Sequence, residues 1–229
     1  MVGFQDAKPG NIPFFCVHKM GLKKTRGMQA KKTKSGDRRE QILKTAARLF
    51  RKMGYSATTM RLIAADAGME ASSLYNHISS KQEILDELLF SIADLFMAGM
   101  KEAQKLEENP FRKLEHLVDL HVKLTLKWPD RIALITGDWM HLEEPRLKEY
   151  ISLRSDYESR FRQIISEGME DGILENIDID IALFSILSSL HWLYSWSGKH
   201  QVRDEESLRK EMKQCLLNGL KKQVPIHQK

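Results

Sequence analysis

Between Thr59 and Lys81 the chain gathers small hydroxyl and carboxamide side chains at helical spacing. Ala71, Ser72, Ser73 and Asn76 lie within the segment 70–77, and Thr59 and Arg61 precede them. A serine hydroxyl donates to or accepts from several base edges, and an asparagine carboxamide pairs well with adenine. Arg61 has the reach for a guanine or a phosphate. Thr59, at the start of the helix carrying Arg61, is placed to hold a phosphate with its hydroxyl and the amides beside it. This chemistry reads a surface and breaks no bond. No P-loop, Gly-x-Ser-x-Gly elbow or Gly-rich dinucleotide fingerprint occurs, so the enzyme reading has no candidate catalytic residue. A metal site would have to be assembled from His116, His121, Asp138, His141 and Glu143. His116 and His121 are five apart, off a common helical face, and neither metal nor cofactor is expected.

These residues need two short helices and a tight turn to present them. Met60, Leu62, Ile63, Ala64 and Ala67 make an apolar helical face, and Gly68 stops that helix. Residues 70–77 form a second short helix with Leu74 inward, followed by Ile78. Ser80, with Glu83 three residues on, is a capping box that opens the next helix. Helix, glycine turn, helix is the helix-turn-helix pattern, whose second helix enters the DNA major groove. An earlier helix, residues 37–53, supplies Ile42, Ala46, Leu49, Phe50 and Met53, completing a small core with Ile63, Ala67, Leu74 and Ile78.

The whole stretch GYSATTMRLIAADAGMEASSLYNHISSKQEIL resembles the DNA-binding signature of the TetR family of bacterial transcriptional repressors. Gly54, Thr59, Ile63-Ala64, Ala67-Gly68, Leu74-Tyr75, His77 and Lys81 stand in the family's order and spacing, within residues 37–85. The resemblance implies an all-α fold: an N-terminal three-helix helix-turn-helix DNA-binding domain, then a C-terminal helical bundle for ligand binding and dimerisation. It implies a homodimer on a palindromic double-stranded DNA operator, released when a ligand binds the body. Tyr75, His77 and Lys81 fall at family positions that contact backbone phosphates. Glu70 departs from the pattern, because many members carry Ser or Thr as the cap there. A carboxylate suits a helix N-terminus, but here it also stands near phosphates.

The body reads as helices throughout, with no alternating β-branched runs. One helix runs from Lys81 to Glu108. Asn109-Pro110 starts the next, as cap and first helical residue. Trp128-Pro129 and Glu144-Pro145 are breaks on either side of a shorter helix that ends near Leu142. Residues 146–169 follow, then 178–197 and 204–220. The segment 178–197 is apolar nearly all round, more than one final helix can cover, so a second copy is expected against these last two helices. TetR-like proteins dimerise in this way.

Trp139, His141, Tyr150, Tyr157, Trp192, Tyr194 and Trp196 suggest an aromatic pocket with a few polar groups. LRSDYESRFRQIISEGMEDGIL and SSLHWLYSW are similar to the body of TetR-family regulators that sense acyl-CoA thioesters. The match rests on Arg154, Tyr157, Phe161, Gly168, Asp171-Gly172, Trp192 and Trp196. The expected ligand set is therefore Trp139, His141, Arg154, Tyr157, Phe161, Trp192 and Trp196, taking a small hydrophobic ligand such as a fatty-acyl-CoA. Arg146, Lys148, Arg154 and Lys199 are the candidates for the CoA phosphates. A sensor of drugs or other hydrophobic compounds, or a ligand-free architectural DNA-binding protein, are the alternatives.

Composition agrees with this division. Hydrophobic residues make up 42% of the 229, enough for a core. Residues 1–40 hold ten Lys or Arg against three Asp or Glu, +7 in all, so the remainder of this +5 chain sums to −2. A basic end on a mildly acidic body suits a polyanionic partner. The expected organisation is a basic disordered arm, 1–36; the DNA-binding domain, 37–83; the ligand-binding and dimerisation domain, 84–222; and a tail, 223–229. Two cysteines, 16 and 215, suit a reducing cytoplasm. No apolar run is long enough for a membrane span.

Overall fold

The computed structural model describes residues 34–197 and 204–222; the basic arm up to residue 33, Lys199 and the tail 223–229 lie outside the described residues. Within them the chain forms nine α-helices: α1 (Lys34–Met53), α2 (Met60–Asp66), α3 (Ala71–Tyr75), α4 (Lys81–Lys105), α5 (Pro110–Lys127), α6 (Pro129–Thr136), α7 (Arg146–Glu170), α8 (Ile179–Ser197) and α9 (Glu205–Leu217). The fold of the described residues is all-α, with a single isolated antiparallel bridge between Leu174 and Lys221. No described helix is long and apolar enough to cross a membrane.

Caps and glycines set the boundaries. Thr59 accepts from the Leu62 amide, Ser80 from that of Glu83 and Asn109 from that of Arg112, with Pro110 in the first turn of α5. Gly54 and Gly68 end α1 and the α2 turn at φ +84° and +66°, the left-handed region that glycine enters without strain. The capping box is displaced by one residue. The Glu83 carboxylate returns to the amide and hydroxyl of Ser79 at 2.7 and 2.6 Å, not to Ser80.

Several boundaries differ from the sequence expectation, and α4 and α9 each stop three residues early, at Lys105 and Leu217. The helix starting at Lys34 begins three residues before Asp37. Helix α3 is shorter than residues 70–77. The helix expected to reach Leu142 divides at Gly137, where the backbone leaves the helical region, and residues 138–141 form a separate 3₁₀ turn. Glycine is a poor helix former, and here it frees the second piece to turn toward the head.

Packing separates a head, α1–α3, from a body. Ile42, Ala46, Phe50, Ile63, Leu74 and Ile78 are fully buried in the head and continuous with Ile84 and Leu88 of α4. In the body α5 is central and meets α4, α7, α8 and α9. Helix α9 lies along α5 and touches α8 only slightly, so it leaves still more of α8 uncovered than the sequence suggested. Ile181, Phe184, Trp192 and Trp196 consequently remain exposed on one face of α8. At the far end, a Cβ on Gly168 would stand 2.6 Å from Leu174 Cδ1 and 3.2 Å from Pro110 Cβ, so only glycine lets α7, α5 and the following loop meet.

Candidate DNA-reading head and sensor interior

The α2–α3 turn puts Leu74 inward and leaves Ser72, Ser73, Tyr75 and Asn76 exposed on the opposite side of α3. Tyr75 is 52% exposed. Ala71 is half-buried at the edge of the same face, and Arg61 is exposed on α2. The turn closes through its own backbone: the Ala67 amide donates to Ile63 O at 2.9 Å and that of Met69 to Ala64 O at 3.0 Å. Glu70 occupies the α3 cap position without a side-chain bond to the helix. The result is a short, rigid helix whose solvent face is hydroxyl, carboxamide and phenol, the groups that read base edges and phosphates.

Two basic residues brace this head. The Lys81 ammonium donates to Tyr55 O and Thr58 O, each at 2.9 Å, and sits 4.2 Å over the Tyr55 ring. Burial pushes its pKa down. Arg39 of α1 grips the carboxylates of Glu83 and Glu87 on α4 and the carbonyl of His77, locking the exit of α3. Bonds from Ser79 first, and from Arg39 second, hold the Glu83 carboxyl down at about 2.

Helix α6 joins head to body. Arg131 on α6 donates to Glu40 of α1 at 2.6 Å and to Ser91 of α4 at 3.1 Å. Arg51 of α1 donates to Asp130 of α6 at 3.0 Å and to the Tyr194 carbonyl of α8 at 3.3 Å. The 3₁₀ turn adds a third tie. His141 stacks on Tyr55 with centroids 5.0 Å apart, its carbonyl accepts from Gln82 at 3.0 Å, and Asp138 accepts from the Tyr55 amide at 3.3 Å.

Inside the body a polar cluster sits among apolar walls. His121 Nε2 and the Tyr157 hydroxyl are 2.8 Å apart, and the His121 and His191 rings lie at 5.8 Å. Phe96 packs on His121 at 4.3 Å and Phe161 on Tyr157 at 6.1 Å. The Arg154 guanidinium, only 2% exposed, stands 4.5 Å over the Trp139 ring, which stacks on Tyr150. Burial pushes His121 down to about 3 and His191 well below its ordinary value, so both imidazoles are neutral near pH 7. Burial also lowers Arg154, to about 10, which still leaves one positive charge in a low-dielectric interior.

Residues 42–88 match the family described as "Bacterial regulatory proteins, tetR family", and residues 107–220 match "Tetracyclin repressor-like, C-terminal domain". The chain belongs to the TetR family. Among relatives of this TetR-family chain, the HTH-type transcriptional repressor KstR2 of Rhodococcus jostii (strain RHA1) is 29% identical over 190 residues, covering 82% of this chain and 92% of that protein. The structure of the ketosteroid transcriptional regulator KstR2 of Mycobacterium tuberculosis has the same fold, with a TM-score of 0.74 at 24% identity, covering 81% of this chain and 96% of that one. AibR in complex with isovaleryl coenzyme A and operator DNA superposes with a TM-score of 0.68 at 26% identity, covering 78% and 97%.

The residues read from the sequence lie close together along this TetR-family chain: Thr59, Arg61, Ala71, Ser72, Ser73, Tyr75, Asn76 and His77 on α2, α3 or their flanks, and Lys81 at the start of α4. Thr59 also caps α2, and Lys81 is already engaged with two carbonyls. The expected ligand set separates into three places. Trp139, Arg154, Tyr157 and Phe161 belong to the interior. His141 is exposed at the head–body junction. Trp192 and Trp196 face outward, lining a groove of about 360 Å³ with Leu208 and Met212 of α9. Of the CoA-phosphate candidates, Arg146 binds Asp86 and Glu149, Lys148 lies 3.6 Å from Glu144, and Lys199 is outside the described residues. Sequence reasoning missed His191 as part of the interior; its one signal is an imidazole in the most apolar helix. His121, first weighed as a metal ligand, pairs with Tyr157 instead, and no group of three metal-ligating side chains occurs among the described residues.

Proposed function

We propose that the chain is a ligand-released repressor that binds a palindromic operator as a homodimer. Ser72, Ser73 and Asn76 contact base edges, Ala71 meets a thymine methyl, and Arg61 takes a guanine or a phosphate. Thr59, Tyr75, His77 and Lys81 bind backbone phosphates. An ammonium has three donors, so Lys81 has one left for a phosphate after its two carbonyls. A second copy covers Ile181, Phe184, Trp192 and Trp196 of α8, and sets two heads about 34 Å apart for successive grooves. Such a protein works in the cytoplasm, where its DNA is.

The ligand we assign is a small hydrophobic acyl-CoA thioester, its acyl chain among Tyr157, Phe161 and Trp139 and its polar end toward Arg154. One observation carries the regulatory reading. Arg51 links the end of α1 to α6 and to the Tyr194 carbonyl, three residues along α8 from the buried His191. A guest that parts α7 from α8 therefore pulls on α1. Support for the ligand class comes from the buried guanidinium among aromatics and from the likeness to AibR, whose structure holds isovaleryl coenzyme A. The test is a mobility shift with the chain's own upstream DNA, titrated with acyl-CoAs of increasing chain length and with free CoA. Retention of the DNA, and its release by one acyl-CoA only, is expected. DNA retained through the whole series rejects the thioester in favour of another hydrophobic ligand or none.

A further inference from the structure

At the pole of the body farthest from the head lies a cleft of about 490 Å³ between the first turn of α5 and one side of α9. Helix α4 separates this pole from α3 by 25 residues, roughly 37 Å at 1.5 Å per residue, so operator phosphates are out of its reach. Lys210, Lys213, Lys221 and Arg112 line it, against one lining carboxylate, Glu115. Glu115 is paired with Arg112 at 2.5 Å, and Lys213 binds Asp119 at 2.9 Å. Neither Lys210 nor Lys221 has a carboxylate within ion-pair distance among the described residues. Gln214 and Asn218 add carboxamide donors on the same side of α9, whose carboxylates Glu205, Glu206 and Glu211 are absent from the lining.

The cleft is built rather than incidental. Lys221 is fixed by the bridge to Leu174, with the Glu175 amide donating to Leu220 O at 2.8 Å and the Lys222 amide to Ile173 O at 3.0 Å. Phe111 and Ile173 provide an apolar floor, and the Lys221 ammonium stands 5.3 Å over the Phe111 ring. Excess cations, carboxamide donors and one aromatic, in a concavity of ligand size, match a small molecule carrying several phosphate oxygens and a planar ring.

The geometry points to a second ligand site here, for a phosphorylated small molecule of the nucleotide class. It uses none of the interior cluster and none of the exposed α8 face, so it stands whether or not the acyl-CoA reading does. With Arg112 and Lys213 paired to carboxylates, Lys210 and Lys221 supply the excess charge that concentrates an anion locally, and removing either costs affinity for every phosphorylated probe alike.

The test is isothermal titration of the full chain with ATP, inorganic pyrophosphate and adenosine. ATP is expected to saturate at one per chain, with weaker pyrophosphate binding and no adenosine binding. The double variant Lys210→Gln/Lys221→Gln, checked for an unchanged melting temperature, should bind ATP at least tenfold more weakly, while Tyr157→Phe should leave ATP binding as it is. No saturable ATP binding overturns the site. So does ATP binding that survives the double variant, which would place it on the basic arm, and so does adenosine binding as tightly as ATP.

Discussion

The Arg51 guanidinium on α1 lies 3.0 Å from the Asp130 carboxylate at the start of α6, and a second nitrogen of the same group reaches the Tyr194 carbonyl of α8. One side chain thus joins the head, the connecting helix and a wall of the interior. Arg131, the next residue after Asp130, closes the reverse link to Glu40 of α1. Two ion pairs from adjacent residues of the short helix α6 thus tie it to α1, the helix that opens the head.

Arg51→Ala should therefore change signalling more than stability. The pair is partly exposed, so its loss should cost under about 1 kcal/mol of folding stability. The ratio of operator Kd with and without the releasing ligand should fall by roughly 2- to 30-fold, the range for a coupling change of about 0.5–2 kcal/mol. Urea unfolding and titrated mobility shifts measure the two separately. An unaltered ratio would mean that the coupling runs elsewhere.

Lys81→Met removes a half-buried ammonium from two carbonyls and an aromatic face. Stability should drop by about 1–3 kcal/mol, because Tyr55 O and Thr58 O lose their donor. If Lys81 also binds a phosphate, the slope of log K against log salt for operator binding should shrink by about one. Lost stability with an unchanged slope would reduce Lys81 to a brace.

Asn76→Ala should narrow the gap between operator and random DNA by about 1–3 kcal/mol, with the salt slope preserved. Competition binding against a non-specific duplex reads this directly. Equal weakening toward both DNAs would assign Asn76 to the backbone instead.

Acid should weaken the fold in two stages. His121 titrates at about 3 in the folded chain against 6.5 ordinarily, so between those values the unfolded chain binds more protons and stability falls as pH falls. His191 is shifted the same way and adds to the loss. Glu83, at about 2 against 4.5, contributes stability that is full above pH 4.5 and lost as pH drops toward 2. Urea midpoints should decline from pH 7 to pH 5, and His121→Gln should flatten that decline. A flat wild-type profile over this window would contradict neutral buried imidazoles.

Trp192→Glu places a charge on the exposed α8 face, where the native side chain is 62% exposed. The single chain should fold as before. Self-association should weaken by 2 kcal/mol or more if Trp192 is central to a dimer contact, as buried aromatic anchors are. Sedimentation at several concentrations tests it, and operator affinity should fall alongside. An unchanged dimer would move the interface off this face.

Much of the head was legible because its determinants are local. Thr59, Gly68, Ser80 and the alternation of Ile63, Ala67 and Leu74 each act within a turn or two of helix. The body was legible only as a row of helices. His141 and Trp139 are two residues apart, yet one stacks on Tyr55 at the junction and the other on Tyr150 inside. Both sit on the 3₁₀ turn 138–141, where residues two apart point in different directions, and a pattern of aromatics carries no mark of it.

By itself the sequence determined the helices, their caps, the glycine turn and the exposed Ser72, Ser73 and Asn76 face, because helical period and capping are short-range properties of the chain. Only the tertiary structure decided which faces meet. It laid α9 on α5 and left Trp192 and Trp196 outside. It paired His121 with Tyr157, drew Arg154 under Trp139, and brought Lys221 beside Phe111 across more than a hundred residues. Periodicity names the residues that share a side of a helix; what that side touches depends on the shape and volume of every other helix packed around it.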